Sequence, residues 1–192
     1  MDLPGVRLAG SIGPGCWFWG CWLCFWSGSS ITGDNSVTRA LREDIQMQLT
    51  VYLAGQIHDD WRGRLAAKAQ ERDLPIEFVG PQDDHPLSDA IGENILGEQP
   101  NARWKDELAS QFNNLRTRVL MNRCDVVVAQ FGEEYRQWNA AMDAGIAIAA
   151  DKPLIVVRDP SLHHALKEIS QRAQATVDHP DQVLDALEYI LH

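Results

Sequence analysis

Hydrophobic positions along residues 47–192 alternate between short continuous runs and helically spaced stretches. Continuous apolar runs are typical of buried strands, and they occupy residues 48–54, 75–79, 124–130, 152–157 and 175–177. Apolar residues three or four positions apart predict helices, here over residues 59–72, 104–122, 137–150 and 161–172. We expect Ser161 to be the N-cap of the fourth helix and Pro180 to be the first residue of a fifth.

This strict alternation of strands and helices predicts an α/β fold, a doubly wound five-stranded parallel sheet with helices on both faces. The expected architecture is flavodoxin-like (Rossmann-like), with strand order 2-1-3-4-5. Ligands in such folds bind beyond the carboxyl ends of the strands, at the switch point between strands one and three. The segments expected to converge there are residues 55–61, 80–89, 130–139 and 158–161.

Three stretches carry more detailed expectations. A polar loop of about twenty residues follows strand two, with at most a short turn of helix over residues 87–91, and loops of that length are often functional. The helix over residues 104–122 repeats Leu108, Phe112, Leu115 and Val119 at helical spacing. The helix over residues 137–150 is rich in alanine and glycine, so we expect it to lie close against the sheet.

Residues 1–46 differ in texture from the rest of the chain. They contain four of the seven tryptophans and three of the four cysteines. Their apolar run over residues 12–26 is broken by glycine and proline and is shorter than the ~20 residues that span a bilayer. Cys21 and Cys24 have no second pair that would complete a zinc site. We therefore expect a disordered or artefactual extension before a domain over residues 47–192.

Charge narrows the classes of partner. The chain of 192 residues has 17 Lys+Arg against 27 Asp+Glu, a formal net charge of −10, which argues against a nucleic-acid polymer or an anionic membrane as a partner. Cys124 is the lone cysteine after residue 46, so a cytoplasmic location is expected. A local basic patch for an anionic substrate is one interpretation of Arg116, Arg118, Arg136 and Arg158, and structural ion pairs with Asp125, Glu133, Glu134 and Asp159 are the other.

The segments at the expected ligand edge are rich in acids and histidines. His58-Asp59-Asp60, Asp83-Asp84-His85 and Glu133-Glu134 follow strands one, two and three. No glycine-rich dinucleotide loop or phosphate-binding loop is present, so no cofactor is expected. The Asp and His groups fit a divalent cation, but they fit helix starts and turns better. Asp143, on the alanine-rich helix, either faces solvent or pairs with a neighbouring arginine, or it lies buried on the inner face with a perturbed pKa.

Three further motifs carry a family resemblance. Val51-Tyr-Leu-Ala-Gly55, Cys124-Asp-Val-Val-Val128 and the stretch from Trp138 to Pro153 with its Asn-Ala-Ala-Met-Asp-Ala-Gly core resemble the nucleoside 2-deoxyribosyltransferase-like superfamily, in particular its YtoQ branch. The resemblance begins near Met47 and extends to the C-terminus. It implies a carboxylate nucleophile that attacks the anomeric carbon of a nucleoside, the chemistry of a retaining glycosidase.

The resemblance implies roles for individual residues. Asp143 matches the nucleophile, and Tyr52 matches the tyrosine that orients it. Asp84 and His85 are further candidates for catalysis, as proton donors to the leaving base. The candidate substrate contacts are Gly55, His58, Asp83, Arg116, Thr117 and Asn139, the last also a candidate helix cap.

Two positions depart from the family pattern. Relatives use Glu as nucleophile, and the side chain of Asp143 is shorter by about 1.5 Å. Such a difference matters because a misplacement near 1 Å can cost roughly 10²-fold in rate. Thr117 stands where relatives have a substrate-handling Asp.

The interpretation that follows is an N-glycosidase or 2-deoxyribosyltransferase-like enzyme for a nucleoside, nucleotide or related glycoside. The alternative is a non-catalytic module that binds a nucleotide or phosphorylated metabolite in the same crevice, and a metal-dependent hydrolase comes third. The resemblance leaves assembly open, with a homo-oligomer as one alternative, because relatives form dimers or larger oligomers.

Overall fold

The computed structural model describes residues 47–55, 59–132 and 137–192. The predicted extension over residues 1–46 lies outside the described residues. The strands are β1 (Leu49–Ala54), β2 (Ile76–Val79), β3 (Val126–Phe131), β4 (Leu154–Arg158) and β5 (Ala175–Val177). The α-helices are α1 (Trp61–Glu71), α2 (His85–Leu96), α3 (Ala102–Arg123), α4 (Trp138–Ala149), α5 (His163–Ser170) and α6 (Asp181–Leu191).

The five strands form one parallel sheet in the order β2-β1-β3-β4-β5. The predicted doubly wound, flavodoxin-like fold is thus confirmed. In the register of β1 with β3, Tyr52 lies beside Val127 and Ala54 beside Ala129. The carboxyl ends of β1 and β3 are therefore neighbours, at the switch point of the strand order.

Alternate residues of the strands point to opposite faces of the sheet, and each face has its own hydrophobic core. One core joins Val51 and Val128 to apolar residues of α1 and α6. The other joins Tyr52 and Val127 to α3 and α4, with α5 packed against it. Burial on both faces explains why the strands are continuous apolar runs.

The segment after β2 differs from the prediction. Where a loop with at most a short turn was expected, the chain forms the twelve-residue helix α2. Asp84 is its N-cap and accepts the main-chain N–H of Leu87 at 3.1 Å. Gly92 lets α3 approach closely, since a Cβ there would lie 2.9 Å from the nitrogen of Ala109. Packing against α3 therefore stabilises a helix that its own sequence predicts weakly.

Helix α3 buries a different face from the one its apolar spacing suggests. Ala109 and Met121 are its buried residues, whereas Leu115 and Val119 are 60% and 39% exposed. Helix α4 behaves as predicted, because Ala140, Ala144 and Ala147 are buried against the sheet.

The last helices begin slightly differently from the predictions. Asp159 accepts the N–H of Ser161 at 2.8 Å and caps a short 3-10 turn over Pro160–Leu162 before α5 begins. Ser161 is thus a residue of that turn and not the N-cap. Pro180 is the residue before α6 and not its first. No helix in the described part of the chain is long and apolar enough to cross a membrane.

Candidate functional site

Tyr52 and Asp143 meet between the sheet and α4. Tyr52 lies in β1 and Asp143 one turn into α4, and the two side chains are 0% and 6% exposed. The Tyr52 hydroxyl donates to Oδ2 of Asp143 over 3.5 Å, a long hydrogen bond. Of the two interpretations of Asp143, the structure therefore supports a buried carboxylate on the inner face of its helix.

Thr117 of α3 is the third member of this cluster. The Tyr52 hydroxyl lies 3.3 Å from Oγ1 of Thr117, so its single proton has two acceptors within reach. Burial, followed by the negative charge of Asp143, raises the pKa of Tyr52. The tyrosine therefore remains protonated and serves as a donor at neutral pH.

Burial raises the pKa of Asp143 to about 6, against the ordinary value of 3.8. The Tyr52 hydrogen bond and the positive charge of Arg62 oppose that effect. A buried carboxylate with a perturbed pKa is a frequent mark of a functional site. At neutral pH most Asp143 side chains are ionised, as a nucleophile requires.

Arg62, in the first turn of α1, is a residue of this site that the sequence analysis missed. Its Nε donates to the carbonyl of Leu53 at 3.0 Å and its Nη2 to that of Gly55 at 2.9 Å. The guanidinium lies 4.8 Å from the ring centroid of Trp61. Burial lowers the pKa of Arg62 below its ordinary value, although nearby charges, including those of Asp83 and Asp143, act in the opposite direction. Arg62 thus fixes the carboxyl end of β1 and brings a positive charge to the site.

The signal in the sequence that could have identified Arg62 is its position. It follows by one residue the segment 55–61, which the fold rule assigns to the ligand edge, but an arginine in the first turn of a helix is ordinarily a solvated residue.

Gly55 follows the last residue of β1 and has a backbone conformation that favours glycine. Its φ is +146°, and a Cβ there would lie 2.9 Å from the carbonyl oxygen of Gln130 and 3.1 Å from the Trp61 ring. The absence of a side chain lets the ends of β1 and β3 approach at the switch point. Gly55 therefore shapes this edge through its main chain.

The candidates after β2 lie near the same edge and are exposed. Asp84 is held as the N-cap of α2, and His85 is the first residue of that helix. Asp83 is exposed, and its charge acts on Arg62. Asn139 is exposed in the first turn of α4, whose N-cap is Gln137, so Asn139 is not the cap.

His58, a candidate substrate contact, lies outside the described residues. Nowhere in residues 47–55, 59–132 and 137–192 do three or more His, Cys, Asp or Glu residues cluster as metal ligands would.

Arg116 lines a groove between α2 and α3. The cavity has a volume of about 420 Å³, and its polar lining includes Gln82, Asn113 and Arg116. Its other walls are mainly apolar, among them Phe112. Thr117 follows Arg116 on α3 and contacts the Tyr52 hydroxyl, and it is not among the residues that line the groove.

The structure places the candidate arginines apart. Arg116 and Arg118 are two positions apart on a helix and so do not share a face. Arg158 donates to Oγ of Ser170 at 3.2 Å and lies beside His163. Arg136 lies outside the described residues. Among the residues described here, no ion pair involves Arg116 or Arg118, and Asp125 accepts the N–H of Thr50 instead.

Comparisons with known proteins match the part of the chain that holds this site. A family model described as nucleoside 2-deoxyribosyltransferase YtoQ matches residues 52–191. The chain is 55% identical over 144 residues to the uncharacterized protein YtoQ of Bacillus subtilis (strain 168). That alignment covers 75% of this chain and 97% of the relative.

The chain is also similar to solved structures, one of which has the same fold. A conserved protein from Enterococcus faecalis V583 has a TM-score of 0.54 and 14% identity, with 75% of this chain and 99% of the other covered. At that identity the likeness shows the fold alone. A 2-deoxyribosyltransferase from Bacillus psychrosaccharolyticus has 19% identity over 70% of this chain and 90% of its own, and its TM-score of 0.43 is too low to support any argument.

Proposed function

Because this chain belongs to the nucleoside 2-deoxyribosyltransferase YtoQ family, we propose that it cleaves the N-glycosidic bond of a nucleoside or nucleotide through Asp143. The observation that carries the proposal is the buried pair of Asp143 and Tyr52, joined at 3.5 Å. A carboxylate in that position costs folding free energy, and a nucleophile is a function that accounts for keeping it.

In the proposed reaction, an oxygen of Asp143 bonds to the anomeric carbon while the bond from that carbon to the base nitrogen breaks. The electron pair of the broken bond goes to the base, which takes up a proton from an acid at the strand edge. Asp83, Asp84 and His85 are the candidates for that acid. Water or a second base then attacks the glycosyl ester, so hydrolase and transferase outcomes share the same intermediate.

The hydroxyl of Tyr52 serves both states of the nucleophile. While Asp143 is an anion, the hydroxyl donates to it over 3.5 Å. Once Asp143 becomes a neutral ester, the same proton is available to Thr117 at 3.3 Å. Thr117 therefore gives the tyrosine a second acceptor that the reaction does not consume.

The test is release of free base by the full chain. Deoxynucleosides, ribonucleosides and their 5′-monophosphates are incubated with the wild type and with Asp143→Asn, and the base is measured by chromatography. We expect release that is lost by at least 10³-fold in the variant. Asp106→Asn, which removes an exposed carboxylate from α3, is the matched control and should keep full activity.

The same panel of compounds also distinguishes the proposed enzyme from a non-catalytic binding module. Saturable binding of an intact nucleotide without release of base would favour the binding module over the enzyme. Equal release by wild type and Asp143→Asn would show a different nucleophile.

A further inference from the structure

The groove between α2 and α3 is an apolar surface that the described part of the chain leaves uncovered. Its aliphatic lining residues are Leu87, Ile91 and Ile95 of α2 and Leu115, Val119 and Leu120 of α3. Four of these side chains are between 39% and 60% exposed. Apolar residues that are both clustered and exposed commonly mark a binding site. The volume of about 420 Å³ lies within the range of pockets that hold small molecules.

Polar groups lie at one end of the groove. The amide of Asn113 on α3 donates to the main-chain oxygen of Ser88 at 3.1 Å and to its hydroxyl oxygen at 3.0 Å. Arg116 is one turn further along the same face of α3, and Gln82 lies shortly before the start of α2. Ile95 lies seven residues beyond Ser88 on α2, about 10 Å at ~1.5 Å per residue. The groove therefore has a polar end near the start of α2 and an apolar end towards Ile95.

The polar end presents hydrogen-bond donors. Oε1 of Gln82 accepts the main-chain N–H of Asp84 at 3.1 Å, which leaves the NH₂ group of that amide for another acceptor. The Ser88 hydroxyl accepts from Asn113 and so keeps its own proton to donate. Among the described residues that line the groove, Arg116 alone is charged, and it forms no ion pair with a described carboxylate. Three donor groups, one of them cationic, favour an anion at this end.

We propose that the groove binds an aliphatic carboxylate, with the carboxylate group at Arg116 and the hydrocarbon chain directed towards Ile95. A guanidinium can bond both oxygens of one carboxylate. The aliphatic walls match a hydrocarbon chain better than a nucleobase, which stacks on aromatic side chains, and Phe112 is the one aromatic residue in the described lining. The inference goes beyond the proposed function, because neither Asp143 nor Tyr52 lines the groove.

The volume of the groove sets the length of the ligand. At roughly 30 Å³ per heavy atom, close to the share of one water molecule in the liquid, about 420 Å³ has room for about fourteen heavy atoms. That number corresponds to a carboxylate of about ten to twelve carbons. Decanoate is therefore the probe for the experiment.

The first arm of the test concerns the charge. Calorimetry below the micelle concentration measures decanoate binding by the full wild-type chain, by Arg116→Gln and by Arg118→Gln. Arg118 is the matched control, since it is also exposed on α3 but does not line the groove. We expect Arg116→Gln to weaken binding by about tenfold or more and Arg118→Gln by less than about twofold. Equal losses in the two variants, equally tight binding of decylammonium, or no saturable binding by the wild type would overturn the proposal.

The second arm concerns the apolar walls. Each CH₂ added between hexanoate and decanoate should strengthen binding roughly two- to fourfold, and the gain should stop near twelve carbons. Leu115→Ser should weaken decanoate binding by about threefold or more. Leu96→Ser should not, because Leu96 is as exposed as Leu115, at 62% against 60%, and does not line the groove. Equal effects of the two substitutions, or a gain that continues with longer chains, would show non-specific adsorption and overturn the proposal.

Two other occupants are distinguished with the same proteins. Displacement of decanoate by deoxyadenosine 5′-monophosphate, in a manner that requires Arg116, would assign the groove to a nucleotide. Sedimentation of the wild type as a dimer and of Leu115→Ser as a monomer, without decanoate binding by the wild type, would assign the groove to a second copy of the chain. Either result would overturn the proposal, whereas decanoate binding with unchanged sedimentation supports it.

Discussion

Replacing Asp143 by Asn should make the protein more stable at neutral pH while removing its proposed activity. The pKa of about 6, against an ordinary 3.8, means that the folded chain holds this proton more tightly than the unfolded chain. As the pH rises from about 4 to about 6, ionisation therefore costs stability, and the full cost persists above that range. At ~1.4 kcal/mol for each pH unit, the cost reaches about 3 kcal/mol.

Asn has nearly the shape of Asp, keeps an acceptor for the Tyr52 hydroxyl and carries no charge. The free energy of unfolding of Asp143→Asn should therefore exceed that of the wild type by up to about 3 kcal/mol at pH 8, and the two should converge at pH 4. Urea unfolding at both pH values, with Asp106→Asn as the exposed control, measures the difference. A difference that is the same at both pH values, or a less stable Asp143→Asn at pH 8, would refute the reasoning.

Three further substitutions, one of them with a matched control, are expected to change either the pH dependence of base release or the stability of the fold. Arg62→Met removes a positive charge that favours ionised Asp143, so base release at pH 6 should fall roughly threefold more than at pH 8. Thr117→Val removes the competing acceptor of the tyrosine hydroxyl, so the acid limb of the activity profile should move to lower pH, and a move to higher pH would contradict the shared proton. Gly55→Ala combines a φ of +146° with a close main-chain contact, whereas Gly97→Ala has a φ of +88° and open space. Chemical denaturation should therefore show a loss on the order of 3 kcal/mol for the first and about 1 kcal/mol for the second, and equal losses would show that the contact is relieved.

The strands, their order and the edge that holds the site could be predicted because continuous apolar runs separated by helices leave few topologies. Helix α2 could not, since its stability comes from the close approach of α3 at Gly92 and not from an amphipathic pattern of its own. The exposed face of α3 could not be predicted either, because helical spacing shows which residues share a face but not which face packs against the sheet.

The residues of the candidate site were also only partly predictable from the sequence. Tyr52 and Asp143 were predicted through the family resemblance, and the structure brings them together. Periodicity alone left Asp143 undecided between solvent and core. Arg62 was missed because it bonds to two main-chain carbonyls, contacts that depend on how α1 packs over the end of β1.

The most direct test of the central claim is to trap the glycosyl ester on Asp143. A 2′-deoxy-2′-fluoronucleoside slows both steps, because fluorine at that carbon disfavours the positive charge of the transition state. Intact mass spectrometry of the full chain, followed by peptide mapping, should show one fluorosugar on the peptide that contains Asp143 and none in Asp143→Asn. Base release without any adduct on Asp143, or the same adduct in Asp143→Asn, would contradict the account.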